Sequence, residues 1–179
     1  MVTKLIVTGR RLLLARELPV SADDPERGVH VAASLEHVAR AIRLRTEAYR
    51  AAEKWTSEGA MEDDFDARAC HILAWHAGEV VGCLRVMPHG EGDAWEHDAH
   101  LSWSAKLPDR SRSVEVTRVA VAKKFRRSLV LPSLFQATAL AALYYGREWI
   151  VGCATPELIG IYRRAGCRAT GLSYEHQGL

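Results

Sequence analysis

Little in the composition assigns this chain. Its 24 Lys and Arg residues nearly cancel 22 Asp and Glu, which excludes a nucleic-acid polycation, an acidic tail or a disordered solvating segment. The four cysteines, Cys70, Cys83, Cys153 and Cys167, lie far apart and make neither C-x-x-C nor paired metal spacing. They read as free thiols of a reducing, cytoplasmic protein. The apolar residues of MVTKLIVTGRRLLLARELP are interrupted by Arg10 and Arg11, so no secretory leader is expected. No apolar stretch approaches the roughly 18 residues of a membrane span. The longest, from Leu129 to Tyr145, contains Pro132, Ser133, Gln136 and Thr138. What remains, at 179 residues and 48% hydrophobic, is one globular domain able to bury an ordinary core.

Patterning supplies the elements. Residues 1–18 read as one or two short strands turning at Gly9-Arg10, and 19–28, with two prolines and a glycine, as a connection. Val29 to Ala33 reads as a strand. Ser34 then caps a helix whose apolar positions recur at Leu35, Val38, Ile42, Tyr49 and Ala52. After an acidic connection at 56–66, Cys70 to His76 and Val80 to Met87 form a hairpin closed by Ala77-Gly78-Glu79. Residues 88–113 read mostly as loop, and 26 residues of loop are too many to be idle. Val114 to Val121 is a strand. A basic turn leads to a helix from near Pro132 to Gly146, where proline and glycine mark the two ends. Trp149 to Ala154, a helix from Thr155-Pro156 to Ala165, and a strand from Arg168 to Tyr174 complete an α+β sheet with helices packed on its faces.

Several charges interrupt this pattern, and such breaks tend to mark function or strain. Arg45 lies on the apolar stripe of the first helix, where it either snorkels or meets an anion in a cleft. Arg85 sits inside VVGCLRVM, and Glu115 and Arg118 interrupt VEVTRVAV. Buried charges are expensive unless paired, so these read as an ion-pair network or a functional cleft. Asp63, Asp64 and Asp66 form either a solvated loop, a set of anchors for Arg45 or Arg85, or a site for an amine. Lys123, Lys124, Arg126 and Arg127 precede a helix N-terminus, an arrangement that suits an anion or a plain basic corner. His97 and His100, with Asp98 or Glu96, are too few fixed ligands for a metal and read as surface histidines, so no metal site is expected.

Together these segments resemble the GNAT superfamily of N-acyltransferases, and more narrowly the acyl-homoserine-lactone (autoinducer) synthases and the N-acyl amino acid synthases. The likeness runs from about Val29 to Gly166. The autoinducer synthases carry an arginine, an aromatic at the fourth position and a tryptophan at the tenth, which here are Arg45, Tyr49 and Trp55. Their D-x-[YF]-D element matches Asp63-Asp64-Phe65-Asp66, their G-x-x-R-x-x-P element Gly82, Arg85 and Pro88, and their E-x-[ST]-R element Glu115, Thr117 and Arg118. Tyr162, Gly166 and Cys167 stand where GNAT proteins often have Y-x-x-x-G-F. The glycines of the usual coenzyme-A loop are missing after Arg126 and Arg127.

The resemblance implies a GNAT-like mixed, mostly antiparallel central sheet with helices on both faces, residues 29–174 forming the core behind N-terminal strands and a linker. It implies transfer of an acyl group from a thioester to the primary amine of a small acceptor. The donor is acyl carrier protein, favoured by the basic turn and the altered loop, or acyl-coenzyme A. The acceptor is S-adenosylmethionine in the lactone branch and an amino acid in the other. No tightly bound cofactor is implied. A plain acetyl-coenzyme A acetyltransferase and a non-catalytic binding module are the rival readings. Glu115 is expected to be the general base, acting through a water with a pKa raised by apolar neighbours. Backbone N–H groups where its strand meets the basic turn would polarise the thioester. Arg45, Asp63, Asp66, Arg85 and Arg118 would shape the cleft and hold the acceptor, beside Trp55 and Thr117. Tyr162 either protonates the leaving thiolate or is a core tyrosine.

Overall fold

The computed structural model describes residues 2–9, 28–90, 92–102 and 106–175. In chain order they form strands β1 (Val2–Gly9) and β2 (Gly28–Val31), helix α1 (Leu35–Arg50), and strands β3 (Cys70–His76), β4 (Glu79–Met87) and β5 (Ser113–Val121). Helix α2 (Val130–Tyr144), strand β6 (Trp149–Ala154), helix α3 (Ile159–Arg164) and strand β7 (Arg168–Glu175) follow. The strands make one sheet in the order β2-β3-β4-β5-β6-β1-β7. All its pairs are antiparallel except β5 with β6. The mixed, mostly antiparallel sheet is thus as expected. Strand β1 is hydrogen-bonded between β6 and β7, inside the sheet and not ahead of it. A second N-terminal strand and the connection over 10–27 lie outside the described residues.

Local chemistry explains the ends of these elements. The Ser34 hydroxyl accepts from the His37 N–H at 3.2 Å and starts α1. The β3–β4 hairpin turns on Ala77 and Gly78, both at positive φ, the two-residue turn that matches strand twist. Helix α2 begins two residues before Pro132, where the Ser128 hydroxyl accepts from the Val130 N–H at 3.2 Å.

Alternation along the strands sends side chains to two layers. Leu73, Trp75, Cys83 and Ala120 pack with Ala41 and Leu44 of α1. Ile72, Ala74, Leu84, Val86, Val114 and Val116 pack with Leu134, Ala137 and Ala142 of α2 on the opposite face. Helix α2 lies so close to β4 that a Cβ on Gly82 would stand 2.5 Å from a Val130 methyl. Leu35, counted in the apolar stripe of α1, is instead 88% exposed, because it lies at the first turn beyond the sheet. The 88–113 segment, read as mostly loop, includes among its described residues short 3-10 turns at Glu96–Ala99 and Arg110–Arg112, and it buries Trp95 and Leu107 against Val151.

Two irregularities create the site. The parallel ladder of β5 and β6 runs from Ser113 opposite Trp149 to Val116 opposite Gly152, and ends there. A Cβ on Gly152 would sit 3.0 Å from the Val116 carbonyl oxygen, so glycine suits this last close approach. On the other edge of β5, Cys83 faces Ala120 but Arg85 faces Thr117, so β5 holds one residue more than β4. Arg118 takes up the excess at φ 55°. A bulge bends its strand, and beyond Val116 the end of β5 departs from β6.

Candidate active site

A cleft of about 470 Å³ lies where β5 and β6 part. One wall is β5 from Val116 to Val121, leading to Phe125, Arg126 and Arg127. The other carries Cys153 from β6, Thr155 from the connection after it and Tyr162 from α3, with Glu96, His97 and Tyr174 closing one end. A smaller apolar recess beside it is lined by Val116, Val119, Phe135, Tyr162 and Cys167. No helix among the described residues is long and apolar enough to cross a membrane.

Behind the β5 wall stands a network of three arginines and three carboxylates. Arg45, 1% exposed, grips Asp66 with both terminal nitrogens, NH1 at 2.8 Å, and donates through Nε to the Met61 carbonyl at 2.6 Å. Fully buried Arg85 donates to Asp63 at 2.5 and 3.1 Å, Asp66 at 2.8 Å, Glu96 at 2.6 Å and the Thr117 hydroxyl at 3.0 Å. Arg118 reaches Asp63 and Glu96, each at 2.9 Å. Burial would raise the Asp66 carboxyl, but its hydrogen bonds from Arg45 and the backbone and the charges of Arg45 and Arg85 outweigh this and hold it at about 2. Asp63 is lowered for the same reasons, with Arg85 leading. The network reading of these charges therefore holds for Arg45, Asp63, Asp66 and Arg85. Arg118, Glu96 and Thr117 also touch the cleft.

Glu115 departs from expectation. It is fully buried, and each carboxylate oxygen is occupied. The His89 imidazole approaches Oε2 at 2.9 Å, the Glu96 N–H donates to Oε2 at 3.0 Å, and the His97 N–H donates to Oε1 at 2.9 Å. His97 Nδ1 also bonds Oε1. Burial alone would raise this carboxyl, as the apolar strand suggested, but the bonds from His89 and His97 and the His97 charge drive it well below the usual carboxylate range. The expected raised pKa is thus reversed. His97, which Glu115 holds, is the group that meets the cleft.

His97 is therefore not a surface histidine: it is buried at 5% exposure. Burial would lower its pKa, but interactions with Cys153 and Glu115 raise it well above the ordinary histidine value. Asp98 pairs with Arg110, and His100 stacks on Tyr174 at 5.0 Å between ring centres. Tyr162 is buried against Phe135 on the cleft wall, and burial pushes its hydroxyl far up. Of the basic turn, Arg126 and Arg127 line the cleft while Lys123 and Lys124 lie exposed outside it. Trp55 is not brought to the site; its indole N–H donates to the Gly59 carbonyl at 3.0 Å, on the connection after α1.

Sequence reasoning missed His89, His97 in this role, Glu96, Cys153 and Tyr174. The one signal was the length of the 88–113 segment, which supplies three of them.

Residues 40–179 match the family model of the N-acyl amino acid synthase FeeM. The chain belongs to the FeeM N-acyl amino acid synthase family. The family is one of acyltransferases, and solved structures agree with its fold. A GCN5-related N-acetyltransferase from Kribbella flavida aligns at 17% identity over 97% of this chain, with a TM-score of 0.54. This chain spans only 56% of that protein's length. The acyl-homoserine-lactone synthase LasI aligns at 17% identity over 77% of each chain, with a TM-score of 0.61. An aminoglycoside N-acetyltransferase, AAC(6')-Iy, solved with coenzyme A, aligns at 15% identity over 83% of this chain and 97% of its own, with a TM-score of 0.58. At these identities the likeness is one of fold. No curated protein matches the sequence.

Proposed function

We propose that this family member moves an acyl group from a thioester donor to the amine of an amino acid, making an N-acyl amino acid. The observation that carries the reading is the parting of β5 from β6 beside the His97–Glu115 pair. Past Val116 the β5 edge facing β6 loses its ladder partner, so an extended amide-bearing arm such as phosphopantetheine would dock there as a strand does. Arg126 and Arg127, at the mouth, would receive its phosphate, and Lys123 and Lys124 an acidic carrier protein outside. Backbone N–H groups of β5 past Val116, on the edge where the β6 ladder has ended, would polarise the carbonyl. The apolar recess at Val119 and Phe135 suits the start of an acyl chain.

Family membership supports an amino acid as acceptor. So does Arg118: its buried Nε meets no acceptor among the described residues while the side chain lines the cleft, leaving a donor for a carboxylate. Glu115 would serve by orienting His97 as the proton carrier, and Tyr162, kept protonated by burial, would give a proton to the leaving thiolate. Arg45, Asp63, Asp66, Arg85 and Thr117 would hold this wall in place.

The test offers acyl carrier protein and coenzyme A thioesters with either the common amino acids or S-adenosylmethionine, and identifies products by mass spectrometry. N-acyl amino acids are expected. A lactone formed only with S-adenosylmethionine would overturn the acceptor assignment, and free fatty acid alone would overturn transfer to an amine.

A further inference from the structure

We infer that His89, which does not line the cleft, is a positioning residue for acyl transfer: a neutral imidazole protonated at Nε2 that donates to Glu115 and leaves the charge of that carboxylate to His97. The inference rests on the acyl-transfer reading and deepens it. His89 lies just beyond β4, with 2% of its side chain exposed, and takes no part in the cleft wall. Three contacts fix it. Nε2 stands 2.9 Å from Glu115 Oε2. The ring stacks on Trp95, with 4.6 Å between centres and 16° between planes. The Arg147 guanidinium, from the connection between α2 and β6, donates to the His89 carbonyl at 2.9 Å. Arg147 also donates to the Ser111 carbonyl, so one side chain ties both ends of the 88–113 segment to that connection. Trp95 is held in turn: the Arg110 guanidinium lies over its ring at 5.2 Å, and Asp98, which pairs with Arg110, accepts from the Trp95 N–H at 2.8 Å.

The hydrogen bonds decide where the His89 proton sits. Nε2 faces a carboxylate oxygen and has to donate, since two lone pairs at that distance would repel. Nδ1 is buried and meets no partner among the described residues. A proton there would be a buried donor with nothing to accept it, whereas a bare nitrogen forgoes only an acceptor's bond. An imidazolium would need both protons, and it would set a second cation against a carboxylate that His97 already engages. The ring is therefore neutral, with its proton on Nε2.

Glu115 thus receives four donors, two on each oxygen. Oε1 takes the backbone N–H and the ring of His97, and Oε2 takes the Glu96 N–H and His89. That fills the capacity of a carboxylate and fixes its orientation. Because His89 brings a hydrogen bond without a charge, Glu115 holds its negative charge against His97 alone. Removing the His89 donor would leave the charge on Oε2 less dispersed, make Glu115 more basic and tighten its hold on the His97 proton. The other titratable and charged groups around His97 are Cys153 of β6, Glu96 of its own turn, Arg118 of β5 and Tyr174 of β7, whose ring centre is 6.4 Å from that of His97. His89 reaches His97 through Glu115.

The experiment uses the full chain with isotope-labelled histidine ring nitrogens, together with His89→Phe, which keeps an aromatic ring on Trp95 and removes the donor, and His89→Gln, which keeps a donor and removes the ring. Circular dichroism checks folding. Long-range proton–nitrogen NMR spectra at neutral pH should show His89, assigned by the signal missing from either variant, as a neutral ring protonated at Nε2. With decanoyl-coenzyme A or decanoyl acyl carrier protein and the common amino acids, His89→Phe should lower kcat about tenfold or more, leave both KM values nearly unchanged, and displace the rise of kcat with pH to higher pH. His89→Gln should recover most of kcat and the wild-type pH profile, a rescue that a merely structural role for the ring would not give. A His89 ring protonated at Nδ1 or at both nitrogens, a wild-type kcat and pH profile in His89→Phe, or equal losses in the two variants overturns the positioning role and leaves the transfer reading standing. If His89→Phe does not fold, the ring signals and His89→Gln decide. No N-acyl product from the wild type with either donor overturns both.

Discussion

Replacing Asp66 with asparagine isolates what the buried charge network contributes. Asp66 accepts two bonds from Arg45, one from Arg85 at 2.8 Å and one from the Asp63 N–H at 3.0 Å, with its side chain only 6% exposed. Asparagine keeps the size and loses the charge. Arg85 retains Asp63 and Glu96, so the deficit falls on Arg45, whose other bond among the described residues is to the neutral Met61 carbonyl. Leaving one charge of a buried pair uncompensated costs about 3–5 kcal/mol. With a urea slope of about 2 kcal/mol per molar, the unfolding midpoint should fall by about 2 M. Arg45→Met should cost a similar amount, and the double variant much less than their sum, with a coupling of about 2–3 kcal/mol. Urea titration followed by tryptophan fluorescence measures all four proteins. A change of under about 1 kcal/mol in Asp66→Asn, or strict additivity in the double variant, would refute the claim that the pair acts as a unit.

Further expectations concern acid and catalysis. Because Asp66 is held at about 2 when folded, against about 3.9 when unfolded, its stabilisation is complete above the unfolded value and is lost as pH falls from about 4 through 2. That amounts to about 2 kcal/mol, and unfolding midpoints should show a shallower acid limb in Asp66→Asn than in the wild type. Arg118→Met should raise the KM of an amino acid acceptor about tenfold or more and leave that of the corresponding carboxylate-free amine nearly unchanged. Arg126→Ala combined with Arg127→Ala should raise the donor KM most at low salt, the difference shrinking as ionic strength screens the cations. Tyr162→Phe should lower kcat about tenfold or more with little change in KM if the hydroxyl protonates the leaving thiolate; an unchanged kcat would make it a core tyrosine.

Much of the framework was legible because period and punctuation agree in this chain. Ser34, Ala77-Gly78, Gly146 and Gly166 mark ends of elements where the pattern changes. The charged residues inside apolar strands also announced the network, since Arg85 and Glu115 have no solvent to face. Two things resisted. The insertion of β1 between β6 and β7 is a long-range pairing that no local pattern encodes. The environment of Glu115 is hidden because its strand neighbours along the sequence are apolar. The groups that set its charge state, His89 and His97, arrive from a loop that has neither helical nor strand period.

The central claim, acyl transfer in the cleft between β5 and β6 driven by the His97–Glu115 pair, has a direct measurement. Decanoyl-coenzyme A and decanoyl acyl carrier protein are each incubated with the common amino acids, and N-decanoyl amino acids are quantified by mass spectrometry for the wild type and folded His97→Gln. The account predicts product from at least one donor, reduced about 10²-fold or more by His97→Gln. No product from either donor, or an equal yield from the variant, would contradict it.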